Sequence, residues 1–147
     1  MKSFLLFILF AGALVLAAAA WNKDDSDLKT SIQFTDAKWT DLQKKARDEN
    51  KIIFVDIYAT WCGPCKLLKR TTFTDKEIGD FFNANFINAA FDGEKGEGRK
   101  LMELYLVHSY PTMLFINPDG SIRKAAIGYH TANQLLRTAK GVVKRRY

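Results

Sequence analysis

The chain has 147 residues, of which 48 % are hydrophobic and 26 % charged, the balance of a globular protein and not of collagen, a long coiled coil or a disordered chain. Its formal charge of +6 is modest and interspersed, so charge does not predict nucleic-acid binding, and two cysteines are too few for a disulfide-stapled scaffold. The size favours one folded domain, placed at residues 30–147.

The first twenty residues read as an address. Met1-Lys2-Ser3 is a short basic start, Phe4 to Ala20 is apolar throughout, and Ala18-x-Ala20 offers the small-x-small site of a signal peptidase. A spanning helix needs about 20 apolar residues, so this run is short for an anchor. No cysteine stands near the cleavage point to carry a lipid, and the ending Lys144-Arg145-Arg146-Tyr147 is not a KDEL-type retention signal. The expectation is cleavage near Ala20 and a periplasmic location, with membrane contact only if the segment stays attached.

Trp21 to Lys29 is polar and aperiodic and reads as an N-terminal lead. Residues 30–34 are expected as a short edge strand, and 35–50 as a helix with Trp39, Leu42 and Ala46 on one face. Lys51 to Tyr58 is a nearly continuous β-branched apolar run, the pattern of a strand buried on both faces. It breaks at Thr60-Trp61-Cys62-Gly63-Pro64-Cys65, where a helix begins. Thr74-Asp75-Lys76-Glu77 has the spacing of a capping box, opening a helix that carries Ile78, Phe81 and Phe82. Phe86 to Phe91 reads as a strand, Gly93 to Gly98 as a flexible turn and 99–107 as a helix. Thr112–Ile116 and Ser121–Ile127 flank the hairpin turn Asn117-Pro118-Asp119-Gly120, and a last helix is expected from Thr131 to about Lys144. This order predicts an α/β domain with a central mixed sheet and helices on both faces. Phe81, Phe82, Phe86 and Phe91 are read as core, His108 as a solvent-facing residue at a helix end, and the basic stretch from Lys140 as a solvated helix terminus.

The chemistry is concentrated at Cys62 and Cys65. A helix N-terminus stabilises an anion through its free amides and its dipole. The first thiol is therefore shifted toward the thiolate, which makes Cys62 the nucleophile. Two intervening residues bring Cys65 within reach to attack a mixed disulfide on Cys62. Pro64 suits the first helical turn, where a missing N–H costs nothing, and Gly63 leaves room for an incoming chain. A structural disulfide here would close a very short loop and remove little chain entropy. A zinc site needs four clustered ligands, and beyond the cysteines only His108 and His130 remain, without a His-x-x-x-His pattern. Two reduced core cysteines would be at odds with export. The redox reading is preferred, with no metal and no cofactor beyond the Cys62–Cys65 pair.

Asp56 followed by Trp61-Cys62-Gly63-Pro64-Cys65-Lys66 resembles the active-site stretch of thioredoxins, and Tyr110-Pro111-Thr112 is similar to their cis-proline element. Gly120 and Gly128 fall where thioredoxins keep glycines around the final hairpin. The similarity covers roughly residues 30–145 and extends to exported members, including the periplasmic reductant domain of the transmembrane disulfide reductase. The resemblance implies a thioredoxin fold, Asp56 as the buried proton acceptor for Cys65, and Trp61 as an apolar platform beside the thiols. It also implies a cis Pro111 that sets the backbone of Tyr110 opposite the cysteines, where an extended substrate pairs. Three positions depart from the pattern: Tyr58 stands where thioredoxins usually have Trp, Tyr110 where they have a small aliphatic residue, and Asn88 where a lysine often accompanies the aspartate.

The expected activity is thiol–disulfide oxidoreduction of exported proteins, in the reducing direction because Gly-Pro between the cysteines resembles reducing members. Electrons would come from a membrane thiol carrier, since the periplasm is oxidising. A net disulfide donor, a reductant in cytochrome c maturation and a non-catalytic peptide-binding module are the alternatives.

Overall fold

Ile52–Tyr58 forms β1, and its composition explains its place: six of its seven residues are buried, which only a central strand covered on both faces allows. A computed structural model describes residues 29–144. The segment expected as an export signal, most of the polar lead and Arg145 to Tyr147 lie outside the described residues. β1 pairs in parallel with β2 (Phe86–Asp92) and antiparallel with β3 (Thr112–Ile116). β3 in turn pairs antiparallel with β4 (Ile122–Ile127), giving a mixed sheet in the order β2-β1-β3-β4.

Side chains alternate across the sheet, and the alternation sorts two cores. On one face Ile52, Phe54, Phe86, Met113 and Phe115 pack beneath the helices Gly63–Thr71, Lys76–Asn85 and Ala132–Lys144 through Leu68, Ile78, Phe82, Leu135 and Ala139. The other face carries Ile53, Val55, Ile57, Ile87, Leu114 and Ile116. It is covered by the helices Trp39–Asp48, through Trp39, Leu42 and Ala46, and Gly96–Leu104, through Leu101. In chain order the five helices are α1 (Trp39–Asp48), α2 (Gly63–Thr71), α3 (Lys76–Asn85), α4 (Gly96–Leu104) and α5 (Ala132–Lys144). None of the described helices is long and apolar enough to cross a membrane.

Several local expectations are corrected. Residues 30–34 form no strand. Ser31 and Ile32 both donate to the Phe73 carbonyl, at 2.7 and 3.2 Å, and Gln33 N–H donates to the Asn83 side chain, so this stretch is tied to the α3 side. α1 starts at Trp39 instead of Thr35, because the Thr35 amide is held by the Asn88 carbonyl of β2 and the Trp39 amide is met by Glu97. α3 is capped by Asp75, whose carboxylate accepts Ile78 N–H at 3.0 Å, while the Thr74 hydroxyl turns back to the Arg70 carbonyl. The reciprocal capping box occurs at α5, where Thr131 and Gln134 bond each other's amides. The turn expected over Gly93 to Gly98 is confined to residues 93–95: Gly93 and Gly98 are buried, and α4 starts at Gly96 and ends at Leu104. Phe82 and Phe86 are core, whereas Phe81 and Phe91 are half-buried at its margins. His108 is exposed but lies beyond the end of α4, in the turn that leads to β3.

Candidate active site

Where β1 ends, Ala59 is buried and its carbonyl accepts the Cys62 amide at 3.1 Å, which turns the chain into α2. Cys62 is the N-cap of that helix, and its Sγ accepts Cys65 N–H at 3.2 Å. A sulfur thus takes the place usually filled by a serine or aspartate oxygen, at the positive end of the helix dipole. Pro64 occupies the first helical turn, where it displaces no hydrogen bond. Gly63 is exposed, with open space where a side chain would point. The two cysteines are joined as a disulfide, and their residues are only 3 % and 7 % exposed.

Asp56 belongs to the face of β1 that also carries Phe54 and, at the strand end, Tyr58. Phe54 shares a core with Leu68 of α2, and Tyr58 packs on the Ala59–Cys62–Cys65 cluster, so the carboxyl lies beneath the dithiol helix. Its cross-strand neighbours are Ala90 and Met113. Asp56 is 6 % exposed, its Oδ1 has no hydrogen-bond partner, and no ion pair among the described residues offsets its charge. Burial alone pushes its pKa up to about 7. Asn88, which takes the place of the family's lysine, lies across from Phe54 and donates to Asn83 at 3.3 Å. A group that gains and loses a proton near neutrality is what a dithiol requires of a base.

The opposite wall comes from the segment before β3. The Tyr110–Pro111 peptide bond is cis, and Tyr110 packs against the cysteine cluster. Its ring meets Trp61 edge-on at 5.9 Å, and its hydroxyl donates to Met102 Sδ of α4 at 2.9 Å. Gly93 is required for this: a Cβ there would come within 2.6 Å of the Tyr110 ring and 2.5 Å of Met102 Sδ. Gly128 donates to the Pro111 carbonyl at 2.8 Å from a left-handed conformation (φ 82°) that favours glycine. Trp61 is 67 % exposed, and its indole N–H donates to Glu94 at 3.0 Å.

The structure therefore brings Trp61, Cys62, Gly63, Pro64, Cys65, Tyr110, Pro111 and Gly128 to one end of the sheet, with Asp56 beneath. Two participants, Glu94 and Met102, were missed in the sequence, and a third, Tyr58, was noted there only as a departure from the family pattern. Glu94 holds Trp61, with its own amide fixed by Asp92 and its carbonyl by Arg99. Met102 anchors Tyr110, and Tyr58 lines the cluster. Burial, with help from the nearby Asp92 and Asp56 charges, raises the Tyr58 pKa. An acidic side chain after Asp92-Gly93 was the available signal for Glu94, masked by the glycines around it. No cluster of three or more metal-ligating side chains occurs among the described residues.

A family model described as a thioredoxin-like domain matches residues 40–142. Among curated proteins, the thiol:disulfide interchange protein DsbD of Pseudomonas fluorescens is 28 % identical over 139 residues, 82 % of this chain and 24 % of its own. The chain thus spans about a quarter of that relative. Thioredoxin-1 of Drosophila melanogaster is 37 % identical over 71 residues, 48 % of this chain and 62 % of its own. A solution structure of a provisionally assigned disulphide-isomerase from Bacteroides thetaiotaomicron superposes with a TM-score of 0.69 at 41 % identity, covering 80 % of this chain and 98 % of that one. The oxidised C-terminal domain of Neisseria meningitidis DsbD has the same fold, with a TM-score of 0.61 at 20 % identity over 74 % of this chain and 97 % of that one.

Proposed function

Since the chain belongs to the thioredoxin-like domain family and is a thiol–disulfide oxidoreductase of the thioredoxin type, we propose that it is exported and reduces or exchanges disulfides of other exported proteins through Cys62 and Cys65. The observation that carries this reading is the cap: the sulfur that must become a thiolate already receives a helix amide and sits at the positive end of the dipole.

In the reduced protein Cys62 thiolate attacks a substrate disulfide and expels one substrate sulfur as a thiolate. The product is a mixed disulfide. Asp56 takes the Cys65 proton, and Cys65 attacks the Cys62 sulfur. The substrate leaves as a dithiol and the Cys62–Cys65 disulfide is restored, two electrons having passed to the substrate. Trp61 and the backbone of Tyr110 hold the extended substrate over the sulfurs. Reduction of the restored disulfide draws on a membrane thiol-electron carrier, because an oxidising compartment supplies no reductant of its own. Residues 1–20 serve as the export signal and leave Trp21 as the first residue of the mature protein; terminal sequencing of a periplasmic fraction tests this.

Equilibration with a glutathione redox buffer sets the direction. A potential near about −270 mV, as in thioredoxin, supports a reductant, and one near about −120 mV would make the protein a disulfide donor. Cys65→Ser should trap exported proteins as mixed disulfides on Cys62, and an empty trap would favour a non-catalytic peptide-binding module.

A further inference from the structure

Far from the dithiol, β4 and the last turns of α5 enclose a cleft of about 280 Å³. Arg123, Lys124, Arg137, Thr138, Gly141 and Val142 line it, which brings three cations together and no carboxylate. Lys124 stands opposite Phe115 near the end of β3, whereas Tyr110, which packs on the cysteines, precedes the start of that strand. We propose that this cleft is an anion site for a phosphate group, at the end of the sheet opposite the dithiol. It depends neither on the direction nor on the substrates of the redox reaction.

The backbone of β4 is the first argument. Lys124 pairs with Phe115 and Ile122 with Ile116, so Arg123 is the extra residue of a β-bulge. A bulge re-aims the side chain it carries. The Arg123 guanidinium is held from two sides, Nε donating to Asn117 Oδ1 at 2.6 Å and Nη1 to the Val142 carbonyl of α5 at 3.4 Å. These bonds use two of the five N–H donors of a guanidinium and hold the others in place at the cleft wall.

Unanswered charge is the second. Among the described residues, Lys44, Lys45, Lys76 and Lys95 each meet a carboxylate three or four residues away. Lys124 and Arg137 are exposed and have neither an ion pair nor a hydrogen bond there. Asp119 does not neutralise the cleft. Its carboxylate accepts the Ser121 hydroxyl at 2.6 Å and amide at 2.9 Å, which with the nearby Arg123 charge lowers its pKa. A cleft lined by one sign of charge concentrates the opposite ion.

Gly141 supplies the third. Glycine is disfavoured inside a helix, where alanine does better. Gly141 stands inside α5 without a left-handed φ, and no atom lies within 4 Å of the place of its missing Cβ. Neither backbone conformation nor packing within the protein calls for glycine at this position; an occupant of the cleft does, because it needs the room. Size and charge narrow that occupant. Pockets for drug-sized ligands run to about 300–1,000 Å³, so this one suits a small group. Three cations exceed the charge of one carboxylate and match a phosphate, with up to about two negative charges and several acceptor oxygens.

The test measures binding of inorganic phosphate to the intact protein by calorimetry at fixed ionic strength, and retention on phosphatidylglycerol or phosphatidylcholine vesicles by co-sedimentation. The wild type should bind phosphate saturably, and Arg137→Gln should weaken that binding about tenfold. Gly141→Leu fills the cleft without removing a charge and should abolish it. Both variants should keep wild-type turnover of hydroxyethyl disulfide, since cleft and dithiol lie at opposite ends of the sheet. Retention on phosphatidylglycerol alone, competed by free phosphate, supports the site and assigns the group to a lipid headgroup. Phosphate binding without retention on either vesicle supports it as the site of a small soluble phosphate ester. No phosphate binding by the wild type overturns the proposal. Binding that survives Gly141→Leu overturns it too, by making the cations a diffuse basic face, and so does displacement of phosphate by equimolar acetate. Should Gly141→Leu fail to fold, Lys124→Gln on the exposed strand edge must show the same weakening as Arg137→Gln, and undiminished binding by both overturns the site.

Discussion

The two faces of the sheet are covered alike by helices but hold different matter. The face under α2, α3 and α5 is built on rings, with Phe54 and Phe82 centroids 4.7 Å apart and Phe86 and Phe115 close around them. It also holds the buried carboxyl of Asp56 and the buried amide of Asn88, each with an oxygen lacking a hydrogen-bond partner. The face under α1 and α4 is mainly aliphatic, and its unpartnered buried polar atom is the indole nitrogen of Trp39. The first face supplies the dithiol helix and the buried carboxyl beneath it, while the second reaches the site only through its rim, where Met102 anchors Tyr110. Reactive groups and bulk packing thus coexist on one face, whereas the other contributes position alone.

That division can be broken at several points. Cys62→Ser should abolish disulfide turnover while the protein still folds, since serine can take over the helix cap and the position belongs only to the small Ala59–Cys65 cluster, outside the two main cores; a steady-state assay beside a thermal melt checks both. Phe82→Ala removes a ring that contacts Phe54, Phe81, Phe86 and Phe115 and should cost about 4 kcal/mol. Leu114→Ala on the aliphatic face should cost about 3 kcal/mol. Denaturant titration measures both, and a larger loss at Leu114 would reverse the ranking of the faces.

Asp56 sharpens the contrast through pH. Its folded pKa of about 7 lies above the ordinary 3.8, so between these values the folded state holds a proton that the unfolded chain has released. Its contribution to stability is therefore greatest below pH 4, falls between pH 4 and 7 and then levels off, by at most about 4 kcal/mol. Asp56→Asn should remove this slope and be the more stable protein at pH 8, while the proposed role as proton acceptor for Cys65 predicts a drop in turnover of about tenfold or more. A difference between wild type and Asp56→Asn that does not vary with pH would show that the carboxyl is solvated. Glu94→Ala, at the rim, should have the smallest effect on stability, about 1 kcal/mol or less for one exposed hydrogen bond, yet shift the fluorescence of Trp61. Glu94→Gln, which keeps an acceptor, should restore it.

Much of the site was legible from local chemistry. Cys62 and Cys65 stand at a strand–helix junction, a place that strand composition, Pro64 and spacing all mark without reference to the rest of the chain. Asp56 was visible as a charge inside an apolar run. The wall opposite was not legible on the same terms. Glu94 and Met102 lie 33 residues beyond Trp61 and 8 before Tyr110 respectively, and only their hydrogen bonds reveal the pairing. The glycines around Glu94 looked like a turn because glycine signals both freedom and close approach; Gly93 serves the second, beneath Tyr110 and Met102. The helix cap misplaced by one residue, at Thr74 instead of Asp75, has the same origin. Both side chains can cap, and the tertiary position of the Arg70 carbonyl drew the threonine away.

The amino-acid order by itself determined the alternation of strands and helices, the two apolar faces of β1 and the dithiol at a helix start. These follow from periodicity and backbone chemistry within a few residues. Only the tertiary structure decided what surrounds the dithiol: the burial that raises Asp56, the ring of Tyr110 laid over Gly93 and the indole held by Glu94. Each depends on distances between segments far apart in the chain, and desolvation and close contact exist only once those segments have met.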